Sequence, residues 1–289
     1  MTTEPNATNQ IAPKTYGPRP PRRAHPGRQI MSMVVPPILL GAALIGVWYW
    51  ASYVWLQGRR RILLAPPHKV ISNGFLDTKN FGEILDGMWV SAKVAAIGLV
   101  IGVAVGLVLA VAMSQARSIE RAVYPFMIMF QAIPILAMTP LISQLFGSGQ
   151  GARVIVCVIF SFFPIAVNAL FGLQSAEKGH HDLFTLNGAS RWTRLRMLMI
   201  PGALPAVFAG LRISASLAVI GGIVADFFFG RGEAGLGQLI AKYKNELDSP
   251  LQITAILVSC VFGVAVFLLF GWIQRKMVGK WYEGSSQST

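Results

Sequence analysis

The sequence predicts an all-α integral membrane protein with about six transmembrane helices. Three observations carry that expectation. Hydrophobic residues make up 54% of the 289-residue chain and the mean hydropathy is +0.55, too apolar for an ordinary soluble domain. Uncharged runs at 29–58, 94–116, 122–152, 154–173 and 249–274 each reach or exceed the ~20 residues a helix needs to cross the hydrocarbon core. Many of the 29 glycines lie inside these runs, as in GLVIGVAVGLVLA at 98–110, where small residues allow close helix packing. The spans are expected as helices because a backbone facing lipid finds no water for its polar groups.

In chain order, residues 1–28 hold six prolines, five Lys or Arg and a single Glu without apolar periodicity, which predicts a disordered basic cytoplasmic tail. It leads into an uncharged run with no short apolar core and no small-residue cleavage site, so that run reads as a retained first span rather than a signal peptide. Within a transmembrane domain at 29–281, spans are expected near 31–56, 90–113, 122–146, 153–173, 206–229 and 251–273, followed by a cytoplasmic tail at 282–289. The fifth is interrupted by Arg212 and Asp226. Six spans with the N-terminus inside return the C-terminus to the same side. That orientation places 14 Lys and Arg inside and 9 outside, the sense of the positive-inside rule. Arg59, Arg60 and Arg61 lie on the wrong side, and the nine charges of the tail and the 174–205 loop outweigh them.

Cys157 and Cys260 fall in the fourth and last of these spans without metal or redox spacing, so both are expected as small buried side chains with no disulfide. His180 and His181 are adjacent to Asp182, but neighbouring helix positions point about 100° apart, unlike the i, i+4 pair of a helical metal site. No metal, cofactor or nucleic-acid site is expected.

The loop at 174–205 is the largest on the inner side. Its stretch NGASRWTRLRMLMIPGALP at 187–205 carries Arg191, Arg194 and Arg196 in a chain with only 13% charged residues. A short helix is expected over 190–199, capped by Ser190 and stopped by Pro201. Gly188 supplies a turn open to positive φ. Trp192, Leu195 and Met199, at i, i+3 and i+7, form an apolar face. The same residues suit either a docked helix or a basic helix lying on anionic lipid.

The reading DLFTLNGASRWTRLRMLMIPGALPAVFAGLR at 182–212 resembles the signature loop of the membrane subunits of ABC importers. In that family an acidic and two small residues precede a glycine, and aliphatic-x-aliphatic-Pro follows. Here Gly188 is followed by nine residues and then Leu198, Met199, Ile200 and Pro201; the acidic position falls on Asp182, with Leu183 and Phe184 where small residues are usual. LLAPPHKVISNGFLD after the first span, GLR at 210–212, GEAGLGQLI at 232–240 and a basic stretch closing at Trp281 are similar to the aliphatic sulfonate, taurine and nitrate branch.

The resemblance implies a type I ABC importer permease, the transmembrane subunit of an ATP-driven importer. Its substrate would be a small organic solute, either a sulfonate-like compound or a heterocyclic vitamin precursor. It further implies that a coupling loop of Asp182, Gly188, Ala189, Ser190, Arg191, Trp192, Arg194, Leu195, Leu198, Ile200 and Pro201 docks on separate cytoplasmic ATPase subunits. An extracytoplasmic solute-binding protein and a second permease copy complete the expected assembly in a bacterial-type plasma membrane. The chain carries no ATP site of its own: neither GSGQG at 147–151 nor GRGEAGLG at 230–237 continues into Lys and Ser or Thr, as a phosphate-cradling P-loop requires.

Polar residues inside the spans are the candidates for the path or gate, since each is expensive in lipid. They are Gln131, Asn168 and Asp226, the first two equally suited to hydrogen bonds that fix packing. Pro134 and Pro140 in the third span and Pro164 in the fourth free backbone groups that neighbours or a cavity must satisfy, which points to the third to fifth spans as lining the path. Arg212 and Asp226, 14 residues apart on one helix, are separated by ~21 Å and cannot pair. An ion-coupled secondary transporter and a non-transport membrane scaffold are the alternative classes.

Overall fold

A computed structural model describes residues 26–56 and 62–282, with side chains from 35 to 279. The expectations for 1–25, for Arg59–Arg61 and for 283–289 lie outside the described residues. The chain divides into two compact units, 1–49 and 50–289. The first contributes helix α1 (Pro26–Trp50). It starts inside the stretch read from sequence as tail, with a proline at the end where a missing N–H does no harm.

The second unit opens with a π turn at Ala51–Trp55 and the short α2 (Pro67–Val70), itself extended by a π turn at Ile71–Phe75. There follow α3 (Thr78–Gln115), α4 (Arg117–Ala132), α5 (Ile135–Phe146), α6 (Gln150–Gln174), α7 (Lys178–Leu186), α8 (Arg191–Arg194), α9 (Ile200–Phe228), α10 (Leu236–Asn245) and α11 (Ser249–Tyr282). Asp77 starts α3 by accepting hydrogen bonds from the backbone N–H of Lys79 and Asn80 at 2.9 and 3.1 Å, as an N-cap does.

Among the described residues, five helical segments are long and apolar enough to cross a membrane: Val35–Trp55, Thr78–Gln115, Gln150–Gln174, Arg191–Phe228 and Ser249–Gly279. The expected continuous span at 122–146 is instead the pair α4 and α5, bent by 98°. Pro134 has no N–H to continue the helix, and it forces the preceding residue away from the helical region. Ile133 accordingly has ψ 124°.

The expected short helix over 190–199 also differs. Ser190 does cap it, its hydroxyl accepting from the Thr193 N–H at 3.1 Å, but Pro201 does not stop it. Residues Arg191–Phe228 run as one helical segment, through a π turn at Leu195–Met199 whose last bond is Ile200 N–H to the Leu195 carbonyl. Pro201 then falls in the first turn of α9, where its missing N–H is tolerated. The free-standing short helix of this loop is α7, just before the Gly188 turn.

Helix α6 is the centre of the bundle. Gly98, Gly102 and Gly106 lie on one stripe of α3, and a Cβ on each would run into Cys157, Ser161 and Ile165 respectively on α6. Both sets are spaced by four, so the two helices mesh along their i, i+4 rows at backbone contact. On its other side α6 meets α9: a Cβ on Gly210 would come within 2.7 Å of the Asn168 Cβ, and Ser214 donates to the Ser161 carbonyl at 2.6 Å. Cys157 is buried in this contact, whereas Cys260 on α11 is exposed, contrary to expectation, because it faces away from the bundle.

One ion pair closes the opposite end of these helices. Arg153 of α6 and Asp226 of α9 approach to 3.2 Å with side-chain exposures of 2% and 0%. The guanidinium N–H groups point elsewhere: they donate to the carbonyls of Phe229, Arg231 and Glu233 at 3.1, 3.0 and 3.0 Å. Asp226 accepts a hydrogen bond from Ser91 of α3 at 2.6 Å, and the same hydroxyl accepts from the Leu236 N–H at 2.9 Å. Gly235 and Gly237 leave room for this arrangement, since a Cβ on either would collide with Asp226. The pair therefore fixes the 229–236 turn and the start of α10.

Two outcomes follow from this packing. Gly102→Leu should abolish accumulation of folded protein in the membrane, because a side chain there meets Ser161, whereas Gly263→Leu, with open space around its Cβ, should leave the level unchanged on immunoblots. Arg153→Met strands a buried carboxylate and should cost about 3–5 kcal/mol, read as a lower melting temperature of the purified protein. Adding Asp226→Leu should recover much of that loss while leaving the 229–236 turn open to limited proteolysis.

Candidate functional site

The bend between α4 and α5 opens a cavity of about 250 Å³ in the bundle. Phe130, Gln131 and Ile135 reach it from the bend, Ile159, Phe160, Phe163 and Pro164 from α6, and Leu217 from α9. Its geometry follows from the two prolines. Pro134 turns the chain so that the last turn of α4 and the first turn of α5 face the same space. Pro164 removes a backbone N–H from α6 at the cavity wall, leaving the helix one bond short at that level.

The lining is three phenyl rings, aliphatic side chains and one amide, with no charged group. Such a surface accepts a flat apolar ring by stacking and offers one directional hydrogen-bonding group, the Gln131 amide, which donates and accepts. An anionic group entering it would find no counter-charge and would carry its full desolvation cost.

The sequence candidates separate on this structure. Gln131 lines the cavity, while the exposed Pro134 makes the bend beside it without lining it. Asn168 does not reach it: its amide donates to the Pro164 carbonyl at 2.8 Å within its own helix, and its Cβ side meets Gly210. Asp226 is enclosed by Arg153 and Ser91 and is not part of this cavity's lining. The phenyl rings of Phe130, Phe160 and Phe163 were not singled out from sequence. Their signal was present, for Phe130 lies four residues before Pro134 and Phe163 is adjacent to Pro164.

At the other end, α7 and the start of α8 form a second surface. Gly188 has φ +66°, and the turn it makes is tied by its N–H to the Thr185 carbonyl at 3.0 Å and by Ala189 N–H to Phe184 at 2.9 Å. Arg194 donates to the Thr185 hydroxyl at 2.9 Å, which joins α7 to α8. The expected apolar face divides here. Leu195 and Met199 are buried in a cluster with Met113, Met127, Leu170 and Leu173, while Trp192 is 72% exposed and Leu186 83% exposed. Leu198 is half-buried, and Asp182, Arg191, Arg196 and Ile200 are exposed. Trp192 and Leu186, flanked by these charges, are the most exposed of the large apolar residues here, with Met197 and Leu183 also facing outward.

Among the described residues there is no group of three His, Cys, Asp or Glu side chains placed to hold a metal ion.

Comparison with known proteins agrees with this architecture. The chain is 33% identical over 230 residues to the riboflavin transport system permease protein RibX of Chloroflexus aurantiacus, covering 80% of this chain and 85% of that one. It is 31% identical over 230 residues to the putative aliphatic sulfonates transport permease protein SsuC of Escherichia coli, covering 79% and 85%. A solved structure of the MetNI methionine ABC transporter in inward-facing conformation shares the fold, with a TM-score of 0.51 at 19% identity over 72% of this chain and 95% of that one. Residues 102–279 match the family described as binding-protein-dependent transport system inner membrane component; the chain belongs to that family and is a membrane-spanning permease subunit of an ABC importer, with ATP hydrolysis assigned to a separate subunit.

Proposed function

We propose that this permease passes an uncharged, flat heteroaromatic solute, of the class to which vitamin precursors belong, through the cavity beside the α4–α5 bend. The lining carries this reading: three phenyl rings and one amide without a cation suit a planar ring with polar edges and disfavour an anion. The likeness to a riboflavin permease supports it. A sulfonate is the second reading, favoured by the likeness to SsuC, and it requires a cationic contact that this cavity lacks.

The solute is delivered by an extracytoplasmic binding protein, and a second copy of the chain completes the path. Both termini and the α7–α8 surface face the cytoplasm, where ATPase subunits dock on Leu186, Trp192 and the adjacent charges. Closure of the ATPase pair moves α7, and α9 transmits that motion. The unbroken segment from Arg191 to Phe228 spans ~57 Å at 1.5 Å per residue. It places the docking surface, Leu217 at the cavity wall and Asp226 on one rod. Alternating access is then a tilt of this rod against α3 and α6.

Cells lacking other flavin and sulfonate uptake, supplied with this importer, test the substrate class. Uptake of a radiolabelled flavin-like ring is expected and uptake of a short alkyl sulfonate is not. Phe130→Ala, at an exposed position, should lower the ring uptake about five-fold through lost stacking; sulfonate uptake alone would overturn the reading.

For the docking surface, Gly188→Val forces a β-branched residue to positive φ at a cost of about 1–3 kcal/mol, with nothing else within 4 Å of the new side chain. Uptake should fall about ten-fold or more while the protein keeps its normal membrane level. Trp192→Glu and Leu186→Glu should each lower the amount of ATPase that copurifies, whereas Gly179→Ala, in open space at ordinary φ, should change neither.

A further inference from the structure

A second cavity, amphipathic and with Leu268 and Val278 among its lining, lies between α9 and α11, away from the cavity assigned to transport. It has a volume of about 560 Å³ and is lined by Arg212 and Pro205 on one side and by Gly271, Gln274, Arg275 and Gly279 on the other. Arg212 lies well inside its helix, and its guanidinium stacks on the Phe267 ring at 3.7 Å. A Cβ on Gly271 would come within 3.1 Å of that guanidinium, so the glycine is what admits the group to the crevice. Among the described residues the buried Arg212 Nε has no hydrogen-bond partner, and no carboxylate is within ion-pairing distance of the guanidinium. Arg275 stands exposed at the mouth.

The surroundings mark the position of this crevice in the bilayer. Trp272 is exposed and Lys276 lies over its ring at 5.2 Å. Beyond them the sequence continues Gly279, Lys280, Trp281. Tryptophans interleaved with lysines and arginines at a helix end are the pattern of the headgroup region. Below this level α11 presents Leu268, Val264 and Val261, all exposed, a surface for acyl chains. A cationic crevice at headgroup depth above an apolar face has the shape and charge of an anionic lipid, phosphate up and chains down.

We propose that the crevice between α9 and α11 is a specific site for the phosphate headgroup of an anionic phospholipid, held by Arg212 and Arg275. The phosphate takes the terminal N–H groups of Arg212, which lines the crevice, and a charge-assisted contact from Arg275. The site concerns neither the solute nor its path, and it stands or falls independently of the substrate class. Because Arg212 belongs to the same rod that links the docking surface to the cavity, a bound headgroup braces α9 against α11.

The test uses the full-length protein reconstituted in phosphatidylcholine vesicles containing a minority of phosphatidylglycerol, extracted in mild detergent and examined by native mass spectrometry. Wild-type protein should retain phosphatidylglycerol in preference to phosphatidylcholine. Arg275→Gln, an exposed change that spares the fold, should lower retention about five-fold, and Arg212→Gln with Arg275→Gln about thirty-fold. Lys93→Gln, at the far end of the bundle, should leave it unchanged. Equal retention of the two lipids, an unaltered Arg275→Gln variant or an equal loss in Lys93→Gln would overturn the site. Displacement of the lipid by millimolar inorganic phosphate would show a site for soluble anions and overturn the lipid assignment.

Discussion

A guanidinium and a carboxylate withdrawn together from water lose several kcal/mol of hydration each, and their mutual attraction alone does not reliably restore it. The Arg153–Asp226 pair is sustained by hydrogen bonds around it, although Asp226 Oδ1 has the guanidinium alone as its partner. Three backbone carbonyls take the guanidinium N–H groups and a serine hydroxyl takes one carboxylate oxygen. Those carbonyls belong to a turn that, at a membrane boundary, would otherwise leave its backbone unsatisfied. The pair therefore contributes position more than stability. It sets the relative height of α3, α6 and α9 at one end of the bundle, and the glycine contacts between α3 and α6 depend on that height.

The glycine rows set the second constraint. Lipid provides little hydrophobic drive for one apolar helix to bury against another, so cohesion comes from close contact and from hydrogen bonds. Gly98, Gly102 and Gly106 allow that contact only when they face Cys157, Ser161 and Ile165; a shift of one turn moves the whole row past its match. With α3 and α9 so held, α6 can tolerate Pro164 at its centre, and the chain can break at Pro134 without the bundle opening. The cavity exists because the surrounding contacts are tight.

Much of the fold was legible in the sequence because crossing hydrocarbon demands about twenty apolar residues, a requirement visible in any window. The Gly188 turn and the Ser190 cap were legible for an equally local reason, since φ and the cap hydroxyl depend on neighbours alone. What was not legible depended on partners distant in sequence or on the proline's exact register. Pro201 looked like a stop and is a first-turn residue, because a π turn upstream re-registers the hydrogen bonds. Arg153 opens the expected span at 153–173, where a charge draws no notice, and only Asp226, brought near by folding, reveals it as interior. Trp192, Leu195 and Met199 share a stripe by periodicity, yet two of them face the chain's own core and one faces out, a choice made by α3, α4 and α6.

The same placement bears on how a motion at one surface reaches the other. A helix transmits displacement only where it is stiff, and the Arg191–Phe228 segment that ends in α9 is stiffened at three levels. Arg194 ties its start to α7, Gly210 and Ser214 seat its middle on α6, and Asp226 fixes its end to Arg153. Its weakest level lies between these, at the π turn where Leu195 and Met199 enter the core. There the helix hydrogen bonds are already re-spaced and Pro201 supplies no N–H to oppose a further change. A push on α7 therefore bends α9 near 195–201 or tilts it about the Gly210–Ser214 contact. Because the Arg153 end is held by an ion pair and four hydrogen bonds, the tilt displaces Leu217 at the cavity wall less than it displaces the α7–α8 surface.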